Sequence, residues 1–290
     1  MIDEFQLSFF EEDNKSVFDK SISRLQFAAE VCKNRGQDKL YVCYSGGKDS
    51  MVLADLCKKA KIQFELHYNI TGIDPPELIY HMRETVPELI WHKYELSMWE
   101  LIVKKKMPPT RICRYCCSEL KEHGGENLLC ATGVRWAESV KRRSRRPFEQ
   151  IGSSAKYKML FNDNDSDRRD FENCSMKKKL VTNAIIDWAD EDIWYYIKHE
   201  NLDYCKLYDE GNTRLGCIGC PMATTKNRES QFERYPKFKQ LYINAFDKML
   251  KVNSHLNYRW KSGQEVFDWW LYGNGNCDIV DGQIVMFDED

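Results

Sequence analysis

The feature that most constrains this chain is Ser45-Gly46-Gly47-Lys48-Asp49-Ser50, set between the apolar run of residues 40–44 and an amphipathic run that begins near Lys48. An apolar strand feeding a glycine turn and then a helix is the context in which backbone N–H groups gather around an anion. The helix N-terminus adds unsatisfied donors and a partial positive charge. Lys48 supplies a compact cation, and the hydroxyls of Ser45 and Ser50 supply further donors. The spacing G-x-x-x-x-G-K-S/T is absent, so this is not a Walker A loop. A phosphate cradle at the carboxyl end of the first strand of an open α/β sheet is the expectation; the plain alternative is a tight strand-to-helix turn.

The surrounding pattern agrees with such a sheet. Val17, Ile22, Leu25, Phe27, Ala28 and Val31 recur at helical spacing, which predicts a helix over 16–34. Strands are predicted at 40–44, 62–69, within 88–94 and at 128–134, with a helix at 76–84. Strands alternating with helices argue for an α/β fold, a parallel twisted sheet with helices on both faces. A basic run at 141–146 follows, and the polar stretch 161–179 is expected to be a mobile surface loop. Asp190 or a neighbour should cap a helix carrying Ile193, Trp194 and Ile197. From residue 226 onward the sequence predicts aromatic-rich helices. The expected division is a nucleotide-binding α/β domain with the clustered cysteines over 1–225, and a helical C-terminal section over 226–290 packed on it.

Composition narrows the function. The formal net charge is −2, so the chain as a whole is not a basic nucleic-acid binder, although a local patch can still be one. No apolar run approaches the roughly 18–20 residues of a membrane span. The acidic start lacks the apolar segment of a signal peptide, which points to a cytoplasmic setting. In a reducing compartment, twelve cysteines point to metal or redox chemistry more than to disulfides. Cys32, Cys43, Cys57, Cys130 and Cys174 are scattered and are expected to be small buried hydrophobes. Cys113, Cys116 and Cys117 are clustered, and Cys217 and Cys220 form a second knuckle. Two such knuckles brought together can complete a tetrahedral thiolate set for zinc or an iron–sulfur cubane. Zinc, a cluster and unligated thiols all stay open on spacing alone. Arg111, Arg114 and Lys121 flank the first knuckle, and thiolates favour cations nearby.

Residues 45–50 resemble the PP-loop of the adenine nucleotide α-hydrolase superfamily. The stretch Thr71-Gly72-Ile73-Asp74-Pro75-Pro76-Glu77 resembles the TG…PE segment of phosphoadenosine phosphosulfate reductases, and 132–139 resembles their GxRxxES segment. Residues 183–188, 207–211 and 214–217 extend the resemblance, which spans roughly 35–225. It implies ATP with Mg²⁺ as substrate, bound by Ser45, Gly46, Gly47, Lys48, Asp49, Ser50, Thr71, Gly72, Gly133 and Arg135. Lys48 and Arg135 would stabilise charge on the transferring phosphoryl groups, and Asp49 would stand near the metal. The plain alternative for Arg135 is a surface pair with Glu138. The resemblance also implies a 4Fe-4S cluster on Cys116, Cys117, Cys217 and Cys220. Cys113 is an alternative ligand, which would leave Cys117 as a free redox-active thiol.

Sulfonucleotide reductases carry a Glu-Cys-Gly-x-His-type tail whose cysteine attacks the substrate's sulfur. Here Cys277 is the cysteine that follows Cys220, and Asp278 comes after it. On that pattern the chain is most similar to the ATP pyrophosphatase component of DNA phosphorothioation systems, which adenylates and releases pyrophosphate before sulfur enters. Its implied partners are ATP, a cysteine desulfurase or other sulfur donor, and nucleic acid, DNA ahead of tRNA. The run 141–146 would then be a phosphate track or simply a solvated loop. The alternatives are a sulfonucleotide reductase working with thioredoxin, a tRNA-thiolating PP-loop enzyme, and a nucleotide-and-redox sensing module without turnover.

Overall fold

The computed structural model describes residues 16–122, 124–151, 158–172, 179–253 and 259–273. Cys174, Cys277 and the N-terminal residues read for a signal peptide lie outside the described residues. In chain order the helices and strands are α1 (Val17–Asn34), β1 (Leu40–Cys43), α2 (Lys48–Lys59), β2 (Phe64–Ile70), α3 (Pro76–Thr85), β3 (Ile90–Lys93), α4 (Met98–Lys105) and α5 (Tyr115–Leu120). There follow β4 (Leu129–Ala131), β5 (Phe148–Ile151), β6 (Lys158–Phe161), α6 (Asp165–Glu172), β7 (Lys179–Thr182), α7 (Asp190–His199), α8 (Thr225–Arg234), α9 (Pro236–Val252) and α10 (Gly263–Tyr272).

The chain groups into two compact units. The first holds residues 1–70, 74–93 and 121–216. Its sheet runs in the order β3-β2-β1-β4-β7-β5-β6, and β3, β2, β1, β4 and β7 are parallel neighbours. This is the expected α/β architecture, extended by two antiparallel strands: β5 pairs antiparallel with both β7 and β6. Alternate residues of each strand face one side, so Leu40, Val42, Leu66, Leu129 and Leu180 join one buried core with Leu25, Val31, Leu53 and Leu56 of the helices. α1 begins on Ser16, whose hydroxyl accepts from the Asp19 N–H, and this satisfies an otherwise orphaned donor.

Within the polar stretch 161–179, the described residues up to 172 are not the loop their composition suggests, and 173–178 lie outside the described residues. Residues 165–172 form a helix, and the stretch is bounded by two strands of the sheet. Two tertiary anchors override the local polarity. Asp163 accepts from both Arg24 and Arg168, and the fully buried Phe171 packs on Phe27, Phe148 and Phe161. Two aromatics spaced ten residues apart leave no periodicity to read.

The second unit holds residues 71–73, 94–120 and 217–290. It gathers α4, α5 and the three C-terminal helices around Ile218, Phe232, Tyr242, Phe246, Met249, Phe267 and Trp270. Tyr242 and Trp270 lie 4.8 Å apart, and Phe232 meets both rings; aromatic pairs of this kind add to area burial. All five clustered cysteines belong to this unit. Among the described residues no helix is long and apolar enough to cross a membrane.

Candidate functional site

β1 delivers the chain to the Ser45–Ser50 turn. Gly46 has φ +72, and a Cβ there would lie 2.6 Å from Met82 Sδ and 2.8 Å from Leu78 Cδ1, so both conformation and space demand glycine. Gly47 caps α2 with no side-chain bond to the helix, so no N-cap side chain takes up the first-turn backbone donors. The Lys48 N–H donates to the Tyr208 hydroxyl at 2.9 Å. The serine hydroxyls are engaged within the turn. Ser50 donates to Gly47 O at 2.9 Å, accepts from the Ser45 N–H at 3.1 Å, and lies 3.2 Å from the Ser45 hydroxyl. They brace the loop's shape.

Behind the turn lies a charge network. Arg135 is 0% exposed. Its Nε donates to Asp49 at 2.7 Å, its Nη2 to Asp190 at 2.7 Å and its Nη1 to the Trp188 carbonyl at 3.0 Å. Lys48 Nζ lies 3.2 Å from Asp190 and 3.5 Å from Asp49. Burial works against the charge on Arg135, but Asp49 and Asp190 outweigh it and raise its pKa. Burial likewise opposes the charge on Asp190, and the Arg135 and Lys48 partners reverse the balance to hold its carboxyl below the usual range. The surface pairing of Arg135 with Glu138 is not what forms. Glu138 accepts from the Arg135 backbone N–H and pairs its charge with Arg142.

Lys48, Asp49 and Arg135 are therefore brought together, and Gly133 joins them. A Cβ on Gly133 would sit 3.0 Å from the Asp49 carbonyl carbon and 3.2 Å from Ser50 N, so the β4 exit packs directly on the start of α2. Asp190 and Tyr208 are members of the site that the sequence did not single out. Asp190 reads as a helix cap, yet Ala189 occupies the cap position and Asp192 accepts from its N–H. The need of buried Lys48 and Arg135 for counter-charge was the one available signal. Thr71 and Gly72 fall in the second unit, where the Thr71 hydroxyl accepts from the Ile73 N–H at 3.2 Å.

Two of the five cations in the basic run are spent on internal ion pairs. Arg142 pairs with Glu138 and Arg145 with Glu149, while Arg143 and Arg146 line a cavity of about 410 Å³ with Trp136 and Ala137.

In the second unit Cys113 precedes α5, with its N–H bonded to the Thr110 hydroxyl at 3.0 Å. Cys116 and Cys117 lie on the first turn of that helix. The Cys217–Cys220 knuckle is closed by a Cys220 N–H bond to Cys217 O at 3.2 Å and turns on Gly219, φ +70. It is fixed from two sides: the Ile218 N–H donates to Ile73 O at 2.7 Å and the Gly219 N–H to Gln231 Oε1 at 2.9 Å. The knuckles converge. The Cys116 thiol bonds to Cys117 and also senses Cys217 and Cys220, and together with burial they push it well above the ordinary thiol range. All five clustered thiols are partly buried. Cys113 packs with Cys116 and Cys217 on the aromatic core.

Among the described residues no three Cys, His, Asp or Glu side chains surround a single-ion position. The donor chemistry still fits a metal centre: four soft sulfurs from two knuckles are the ligands of zinc or an iron–sulfur cluster. A second observation agrees with that fit. Arg228, 5% exposed, senses Cys220, and its Nε and Nη2 have no hydrogen-bond partner among the described residues.

Residues 39–223 match the phosphoadenosine phosphosulfate reductase domain. The chain is similar to an uncharacterized protein of Methanocaldococcus jannaschii, 26% identical over 247 residues that cover 82% of this chain and 53% of that protein. It is similar to the adenosine 5′-phosphosulfate reductase of Oceanobacillus iheyensis, 28% identical over 227 residues covering 73% of this chain and 81% of that one. The chain spans 53% and 40% of the length of two Methanocaldococcus jannaschii relatives. Among solved structures it is similar to phosphoadenylyl-sulfate reductase from Candida auris in a phosphate complex, at 16% identity and a TM-score of 0.43, covering 71% of this chain and 95% of that one. With more than half its length matched, this chain belongs to the phosphoadenosine phosphosulfate reductase domain family.

Proposed function

We propose that the chain is a sulfonucleotide reductase, which takes an adenine nucleotide at the Ser45–Ser50 turn and acts on its phosphosulfate. The observation that carries this choice is the similarity to an enzyme named adenosine 5′-phosphosulfate reductase over 81% of that enzyme's length. The geometry suits an anionic nucleotide: the start of α2 has no N-cap side chain on its backbone donors, and the Lys48 ammonium stands beside them. An arriving phosphate would compete with Asp190 for Lys48, which is 3.2 Å away. Arg135, fully buried, acts as a positioning residue that aims Asp49 and Asp190. The metal centre assigned to Cys116, Cys117, Cys217 and Cys220, with Cys113 as an alternative ligand, is a 4Fe-4S cluster, which would supply concentrated charge and a redox couple. Thioredoxin or another dithiol would be the electron source.

A second reading is ATP α-phosphate chemistry in sulfur transfer to nucleic acid, with Mg²⁺ on the phosphates and a cysteine desulfurase as sulfur donor. It draws on the cavity that Trp136 shares with Arg143 and Arg146, a stacking surface beside two cations. The two separate in one experiment on anaerobically purified protein. Sulfite from adenosine 5′-phosphosulfate with thioredoxin or dithiothreitol is the expected result. Pyrophosphate from ATP, stimulated by DNA or tRNA, with no sulfite formed, would replace the first reading with the second. Neither product from either substrate sinks both.

A further inference from the structure

We propose that Arg228 is the counter-charge of the cysteine site, a buried guanidinium held over the Cys217–Cys220 knuckle to neutralise metal-bound thiolates and donate N–H···S bonds to them. This rests on the reading of those cysteines as a metal centre. The placement is set by packing. α8 follows the knuckle directly, and its Gln231 accepts from the Gly219 N–H. A Cβ on Gly219 would lie 2.5 Å from Phe232 Cζ and 3.2 Å from the Trp270 ring. Arg228 stacks on that same Trp270, its guanidinium carbon 4.0 Å from the ring centroid. Gly219, Phe232, Trp270 and Arg228 thus enclose one small volume next to Cys220.

Within that volume the arginine is incompletely served. Nη1 donates to the Trp270 carbonyl at 3.0 Å, whereas Nε and Nη2 are buried with no partner among the described residues. Among the described residues no carboxylate forms an ion pair with it. The titratable groups near it are Tyr242, which burial keeps neutral, Cys220 and Arg111, and Arg111, whose Nε donates to the Pro221 carbonyl at 3.1 Å, adds a second cation to the knuckle. A buried cation without an anion is costly, and neutral thiols do not repay it. Four metal-bound thiolates do. Their excess negative charge, with sulfur lone pairs as acceptors, completes both the charge balance and the hydrogen bonding. Each one-electron reduction of a cluster adds one negative charge, so a nearby cation favours the reduced state. Hydrogen bonds to the sulfurs are a recognised lever on such potentials.

The test compares the full-length parent, R228M and R228K after anaerobic purification. Iron and sulfide are counted first, then the rate of iron loss to excess chelator and the cluster's reduction potential are measured. R228M is expected to lose iron at least tenfold faster and to be harder to reduce by a tenfold change in the equilibrium, 59 mV for one electron. R228K, which keeps the charge, should stay near the parent in both. R228M with the parent's iron-loss rate and potential overturns the proposal. So does R228K failing as badly as R228M, since packing and not charge would then be responsible. A parent that holds zinc or no metal defeats the cluster reading itself, and the inference with it; the metal count identifies that case before any variant is compared.

Discussion

Arg135 and Arg228 are both arginines with almost no exposed surface, at 0% and 5%, yet their surroundings differ in kind. Arg135 sits between two carboxylates and a carbonyl, with Lys48 sharing the same acids. Every charge there has a partner before any ligand arrives. Arg228 has one carbonyl, one indole and the Cys220 thiol. The Ser45–Ser50 site is preorganised by its own side chains, whereas the proposed metal centre would be completed by a group the polypeptide does not encode. Buried charge is therefore informative in two ways: paired, it marks a scaffold, and unpaired, it marks where a ligand of opposite sign belongs.

The strongest challenge to this contrast is to make the same substitution at both places. R135M should destabilise the protein by about 3–5 kcal/mol in urea unfolding, because it leaves Asp49 and Asp190 uncompensated. R228M in metal-free protein should be neutral or stabilising, by up to about 2 kcal/mol, because it removes a buried cation without a carboxylate partner. Equal losses at the two sites would erase the distinction. G46A comes next. Positive φ and the close approach of Met82 and Leu78 predict a loss of about 2–3 kcal/mol, with nucleotide affinity measured by calorimetry falling and metal content unchanged.

A pH titration sharpens the comparison within the first unit. Burial, then the charge of His92, pushes the His67 pKa down from 6.5 to about 4, and the ring stacks on Tyr41 at 3.6 Å. Folded His67 therefore stays neutral while the unfolded chain takes up a proton below about 6.5. Stability is full above that pH and is lost as pH falls toward about 4. The expected loss is about 1–2 kcal/mol once solvent screening is discounted. Urea midpoints at pH 7 and pH 5 should differ less in H67Q than in the parent; an unchanged difference would remove His67 from the account. The smallest effect belongs to S50A, about 1 kcal/mol for the bonds that shape the turn, measured by thermal unfolding.

The strand, turn and helix at 40–59 were legible because they are local: an apolar run, two glycines and an amphipathic helix sit side by side in sequence. The strands β1 to β4 and their parallel sense were legible for the same reason, whereas their order β3-β2-β1-β4 came from the fold. β5, β6 and α6 were not. β5 and β6 are only four residues each and α6 is polar apart from Phe171, and what orders them is Phe171 against Phe27 and Phe148, and Asp163 against Arg24. Asp190 escaped notice because a carboxylate at the start of a helix already has an explanation as a cap. Arg228 escaped because nothing near it in sequence reveals that it is buried.

By itself the sequence determined the chemistry on offer: a glycine turn with Lys48 that suits a phosphate, and two cysteine knuckles with metal-ligand spacing. Local spacing suffices for this, since backbone conformation and ligand type are properties of a few consecutive residues. Only the tertiary structure decided which charges meet. Arg135 reaches Asp49 and Asp190 from 86 and 55 residues away in sequence, and Trp270 covers Arg228 across 42. Burial is what gives those meetings their weight, because away from water an ion must find its counter-charge within a few ångströms, and only the folded chain says who stands there.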